Sequence, residues 1–424
     1  MVIRANKLLS GNGLLNLWFA MSSVVWPIEL VVGDQIIKFY YFFTFITILF
    51  WASSQSGLNK RTIKIFIFCI STGVISIAIS LLSGLCQNQY DKSIQALPVL
   101  AFLFAIGYEI GVKSSALDWM RLRKFSLWIL LIIVVEMLVE FFFPDHFSAQ
   151  ASYRGQFKYS GFFSEPSHLA YSAFPSILLL ISSRNKSMKC CGWIALTIFL
   201  IFSRSSTLIF LTTLLAAFLV VHEATIKKFI AALVIVLAGV ILVSIAGFDD
   251  LLAPTLERLS GIYRRPEIST NISSLVYLQG IQDAFNNLIR SYGFGIGFNM
   301  MGCLPLPASS ARDVLLDIGI PSLNSDDGSF LLSKLISEFG VFGVVFFSFL
   351  FLKSIQLKKL SDSKNLTNKQ DAFLVMFMLL TIYLIIFLTR TAGYFYGPFL
   401  MIAPILGAIS TLSCKNDGCQ DERR

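Results

Sequence analysis

The sequence predicts an all-α polytopic membrane protein of about twelve transmembrane helices, and three observations carry that prediction. Of the 424 residues, 55% are hydrophobic and 14% are charged, where a soluble domain has roughly 45–50% and 25%. The apolar residues gather into runs long enough to span a bilayer, and an inventory of this size fills about eleven or twelve spans of about 20 residues each. The basic residues between the runs alternate in density from one loop to the next, as in proteins that obey the positive-inside rule. Together these features exclude a secreted disulfide scaffold, an intrinsically disordered chain and a nucleic-acid binder with a basic, water-exposed face. Residues 1–424 read as one integral membrane domain.

The twelve runs lie near 14–32, 36–52, 63–85, 94–112, 125–143, 166–183, 190–203, 206–222, 229–247, 329–352, 371–389 and 393–412. Met1 to Asn12 carries only Arg4 and Lys7 and shows no small-residue cleavage site before the first run, so that span is expected to be retained. With the N-terminus in the cytoplasm, 22 of the 34 Lys and Arg residues fall on the inner side, clustered loop by loop. Both termini are then cytoplasmic, and much of the +9 net charge is a topology signal. The other 12 differ in kind: Arg154, Arg204, Arg258, Arg264, Arg265, Arg290, Arg312 and Arg390 against Lys38, Lys92, Lys158 and Lys334. Lysine suits solvated topology signals, whereas the guanidinium fork suits bidentate binding of phosphate or carboxylate. An anion site on the outer face is expected; the alternative is that these arginines pair with acids of their own loops.

Two outer loops are long enough to build chemistry, 144–165 and 248–327. Ahead of the first, Glu136 and Glu140 share a helix face, either as raised-pKa acid–base groups or as a protonated packing pair. Glu109 is expected to pair with a neighbouring helix. Pro166 suits the first turn of the sixth span, with Glu165 or Ser164 as its cap, and a helix N-terminus is a ready anion site. Glu165 and His168 are three apart, so the carboxylate could orient the imidazole, or the two could form a plain capping contact. Arg204, in the turn Ser203-Arg204-Ser205, and Arg390, at the end of the eleventh span, are costly in a membrane unless they face a wet cavity, a partner or the headgroups.

The larger loop is expected to lie over the embedded half like a lid. Within it, Ser273 to Ile289 has an amphipathic helical pattern through Leu275, Leu278, Ile281, Ala284, Phe285 and Leu288. Gly293-Phe294-Gly295-Ile296-Gly297-Phe298-Asn299 is glycine-rich enough to cradle a phosphate but lacks the lysine and strand–helix context of a P-loop. Asp326 and Asp327 read as helix-start caps of the tenth span, in which Gly340 and Gly343 permit close helix contact. Of the seven cysteines, only Cys86 and Cys303 fall on the oxidising side, which leaves room for one disulfide. Three histidines without metal spacing give no zinc centre, and no cofactor is expected. No internal repeat of the inverted-transporter kind is found, and Ser53 to Thr62 lacks a Gly-x-x-x-Asp-Arg facilitator signature.

Arg154 followed by Ser160-Gly161-Phe162-Phe163-Ser164-Glu165-Pro166-Ser167-His168-Leu169-Ala170 resembles a stretch of the Wzy-type O-antigen and exopolysaccharide polymerases. The order that follows is also similar: the Ser203-Arg204-Ser205 turn, the loop with Gly293 to Gly297, then Asn324-Ser325 and Glu338-Phe339-Gly340-Val341-Phe342-Gly343. The resemblance covers about 154 to 343. It implies a GT-C-like, metal-independent glycosyltransferase of the bacterial inner membrane with one long periplasmic loop. Such an enzyme moves a growing glycan from undecaprenyl diphosphate onto the next lipid-linked repeat unit. Glu165, His168 and Arg204 are then the catalytic candidates, and Arg154, Arg290, Arg264, Arg265 and Arg390 the substrate-binding ones. A chain-length regulator and a flippase of the same pathway are the implied protein partners. O-antigen ligases of the same superfamily carry a histidine in the large outer loop, and 248–327 has none. A ligase, or a transporter of lipid-linked glycans or anionic solutes, is the alternative.

Overall fold

A computed structural model describes residues 11–25, 29–32, 35–38, 45, 59–86, 90–142, 166–203, 207–208, 211–213, 272–304, 309–321, 323–325, 328–363, 369–389, 393–395 and 397–412. Over these residues the chain is helical apart from one hairpin. The helices are α1 (Gly11–Ala20), α2 (Lys60–Ser83), α3 (Tyr90–Lys113), α4 (Ala116–Phe142), α5 (Pro166–Ile181) and α6 (Lys186–Ser203). Then come α7 (Ile272–Arg290), α8 (Ser310–Asp317), α9 (Leu331–Phe339), α10 (Val341–Asp362), α11 (Gln370–Thr389) and α12 (Gly397–Leu412).

Four of these, α2, α3, α10 and α11, are long and apolar enough to cross a membrane, which supports a multi-pass membrane protein. The 24 residues of α2 or α3 make about 36 Å of helix against a hydrocarbon core of about 30 Å. Their positions in the bundle differ. The apolar window of α11 is 83% buried, whereas those of α2 and α10 are 22% buried. So α11 is the hydrophobic centre, and α2 and α10 turn Phe68, Leu82, Phe342 and Leu352 outward.

Small residues set the closest approaches. Where α3 crosses α12, a Cβ at Gly111 would meet the Pro404 carbonyl and one at Gly407 would meet that of Tyr108. Tyr108 Oη donates to Ser410 Oγ at 3.0 Å across the same crossing. At the other end of the chain, Trp18 Nε1 donates to the Leu400 carbonyl at 3.2 Å and fixes α1 on α12. Glu109 pairs as expected: its buried carboxylate accepts from Thr62 Oγ1 of α2 and lies 3.0 Å from Lys113 Nζ.

Two expected spans are corrected. The run 14–32 does not continue as one helix: after α1 it passes through a π-helical turn (Met21–Val25) and then β1 (Glu29–Val32), paired antiparallel with β2 (Gln35–Lys38). Pro27 lacks the N–H that a continuing ladder needs, and the β-branched Val31, Val32, Ile36 and Ile37 favour an extended chain. The run 329–352 is broken at Gly340, whose φ of 58° and ψ of −133° no residue with a Cβ adopts readily. A Cβ there would also collide with the Gly293 carbonyl. The N-cap of α9 is Phe330, with no side-chain cap bond, so the capping expected of the aspartates is not found there; Asp326 and Asp327 themselves lie outside the described residues, as do loop 144–165, 248–271, 229–247 and most of 36–52 and 206–222.

The amphipathic helix expected at Ser273 to Ile289 is present as α7, but its expected apolar face divides between two sides. Leu275 and Ala284 are buried, and so are Gln279, Asp283 and Asn287, while Ile281, Phe285 and Ile289 point outward. The inner neighbours are mixed: Leu275 and Val276 pack with Ala311, Val314 and Leu315 of α8, and polar partners meet the buried polar residues. Ser333 Oγ of α9 donates to the Gly280 carbonyl at 2.6 Å, and Arg312 Nη2 of α8 donates to Asp283 Oδ2 at 2.8 Å.

Candidate functional site

α9 places Lys334 and Glu338 one turn apart, and Glu338 is fully buried. Its Oε2 accepts from the Asn299 N–H at 2.7 Å and from Tyr394 Oη at 2.7 Å; its Oε1 accepts from the Met301 N–H at 3.2 Å and lies 3.6 Å from Lys334 Nζ. Lys334 also sits 5.7 Å over the Tyr394 ring, and Phe298 stacks on that ring with centroids 5.4 Å apart. A buried carboxylate is stable only when paired and hydrogen-bonded, and here four groups from three chain segments meet that demand.

This arrangement overturns the phosphate-cradle expectation for Gly293 to Asn299. Gly293 N–H donates to the Leu288 carbonyl, Phe294 N–H to that of Ser291, Ile296 N–H to that of Ser337 and Gly297 N–H to that of Glu338. Gly295 N–H donates to Ser291 Oγ at 2.8 Å. The donors are spent inside the fold, so the glycines serve close approach: a Cβ at Gly295 would collide with the Glu338 backbone. Ser76 Oγ of α2 donates to the Glu338 carbonyl at 3.4 Å. A disulfide between Cys86, just past α2, and Cys303, just past the loop, closes the same assembly. It is the pair the sequence left room for.

Beside this hub a small half-open cleft, with room for about one water, is lined by Asp283, Asn287, Ile296, Met301, Leu304 and Ser325. Burial pushes the Asp283 carboxyl above the usual aspartate range, while Arg312, Gln279 and the more distant Arg290 pull it back down. The cleft sets a carboxylate, an amide and a hydroxyl around that space, a set that can hydrogen-bond to a single water or hydroxyl group.

Of the candidates named from sequence, two lie among the described residues. His168 is the third residue of α5 and half-buried; the helix begins at Pro166, as its fixed φ suits. Arg290 is the last residue of α7 and exposed. Glu165, Arg154, Arg204, Arg264, Arg265 and Arg390 lie outside the described residues. Glu136 and Glu140 are both buried on α4. Sequence reading gave Glu338 no role, whereas the Asp283–Arg312 pair bears out, for Arg312, the alternative that an outer arginine pairs with an acid of its own loop. The available signal was the spacing of Lys334 and Glu338, two opposite charges one turn apart in an apolar run, which is expensive unless the pair has a function. In comparisons with known proteins, no family model and no curated protein matches the chain.

Proposed function

We propose that the chain is an O-antigen or exopolysaccharide polymerase with twelve spans, a GT-C-like bundle and both termini in the cytoplasm. It would transfer a growing glycan from undecaprenyl diphosphate to the next lipid-linked repeat unit on the outer face of the bacterial inner membrane. The observation that carries this reading is the stretch from Arg154 to Ala170, in which Pro166-Ser167-His168 opens a helix.

In that reaction an acceptor hydroxyl attacks the anomeric carbon of the donor chain. The C–O bond to the lipid diphosphate breaks, and the diphosphate leaves with the electron pair. Arg204, Arg154 and Arg290, with Arg264, Arg265 and Arg390, are the groups proposed to neutralise the departing charge, since preorganised donors aimed at developing charge lower a transition state more than most other devices an enzyme has. Glu165 and His168 are proposed to orient the acceptor hydroxyl and take its proton. The multi-pass bundle and the disulfide that suits an oxidising compartment support the reading.

The test is a chromosomal deletion examined on a lipopolysaccharide gel. A polymerase predicts loss of the ladder with a core-plus-one-repeat band retained; loss of every capped species instead indicates a ligase or flippase. Complementation with Arg204→Ala and Arg204→Lys should fail to restore the ladder at normal membrane abundance, and near-normal ladders from both would remove Arg204 from the mechanism.

A further inference from the structure

α7 buries Gln279, Asp283 and Asn287 beside Leu275, Val276 and Ala284, and turns a second stripe of apolar residues outward. A helix whose outer face meets only water carries polar residues there. Gln279, Asp283 and Asn287 recur at four-residue intervals on the buried side, while Ile281, Phe285 and Ile289 recur at the same interval on the other side and are 40%, 64% and 64% exposed. The stripe continues past the helix end with Tyr292, 91% exposed, and Phe294.

Two contacts fix the depth of this stripe. Tyr277 Oη donates at 3.0 Å to the carbonyl of Leu388, in the last turn of α11. The Val341 N–H, the first of α10, donates at 2.8 Å to the Gly293 carbonyl. α7 and the loop that follows it thus touch the ends of two helices that are long and apolar enough to cross a membrane, and the outer stripe runs on into the exposed Val341, Phe342 and Val345 of α10. That level is the boundary between headgroups and acyl chains, where amphipathic helices rest and tyrosines are enriched.

We infer that α7 is a membrane-interface helix, with Ile281, Phe285 and Ile289 immersed among phospholipid acyl chains and Asp283 and Asn287 facing the protein cleft. The occupant of this face is bilayer lipid, argued from its continuity with the lipid-exposed side of α10. The loop segment carrying α7 is therefore anchored in the bilayer and is not a cover suspended in water. This holds whatever reaction the chain performs.

Photocrosslinking of the full chain in native membranes tests it. A p-benzoylphenylalanine replacing Phe285 should form phospholipid adducts detected by mass spectrometry, and the same probe replacing Gln279 should form none. Adducts with another polypeptide, or no lipid adduct at position 285, would overturn the inference. If the probe variants fail to accumulate, Phe285→Trp in vesicles supplies the second measurement. Its added fluorescence should be quenched several-fold more by brominated phosphatidylcholine than by aqueous iodide, and the reverse order overturns the proposal. Neither readout depends on polymerase activity, so failure here leaves the lipopolysaccharide-gel result untouched, and the converse also holds.

Discussion

Glu338 satisfies two backbone donors, a tyrosine hydroxyl and a lysine with a single carboxylate, so its removal strands all of them at once. Breaking a buried charge pair by deleting one partner typically costs about 3–5 kcal/mol. Glu338→Ala is therefore expected to lower the thermal unfolding midpoint of the purified protein strongly in detergent. Glu338→Gln should fall between that variant and wild type, because an amide keeps one acceptor but turns an NH2 toward donors. An alanine variant that melts with the wild type would show the carboxylate to be dispensable. The Asp283–Arg312 pair follows the same logic at smaller scale. Both side chains are buried at a 2.8 Å separation, and the Arg312 charge on α8 opposes the burial that raises the Asp283 carboxyl.

Among elements, the assembly of the glycine loop, α2 and α9 is closed by the Cys86–Cys303 disulfide, whose Cα atoms are 5.5 Å apart across a sequence separation of 217. Crosslinks across long loops constrain the unfolded chain most, and removing one costs about 2–5 kcal/mol. Cys86→Ser and Cys303→Ser should each lower the unfolding midpoint, and the double variant should lower it no further than either single one. Additive losses would mean that the two sulfurs do not share a bond. The elements also divide by how legible they were. α3, α5, α11 and α12 follow the hydropathy of 94–112, 166–183, 371–389 and 393–412 closely, because burial inside a bundle asks only for continuous apolar sequence. The break at Gly340 and the hairpin after α1 escaped that reasoning: one depends on a backbone conformation set by a neighbouring loop, the other on a proline inside an apolar run. α7 was legible only in part: of the apolar residues its periodicity picks out, Leu275 and Ala284 turn inward and Ile281 and Phe285 outward, because partners such as Arg312 on α8 let the helix bury polar residues too.

For the molecule as a whole, the proposed topology makes a direct prediction. Alkaline phosphatase fused after Cys86 or Cys303 should be active, and a fluorescent protein fused after Lys124 or Leu412 should fluoresce in the cytoplasm; the opposite pattern at both pairs would invert the chain in the membrane. The proposed roles of the outer arginines depend on the same orientation. Arg154, Glu165 and Arg204 were conspicuous in sequence because ionisable residues beside apolar runs are few, whereas Asp283, Arg312 and Glu338 become meaningful only once separate segments meet. That meeting has a timetable. At bacterial synthesis rates of about 5–20 residues per second, Cys86 is made roughly 10–40 s before Cys303. During that interval its thiol must stay unspent, and when Cys303 emerges α9 to α12 are still to be made, so the crosslink can form before Glu338 and Tyr394 reach the glycine loop.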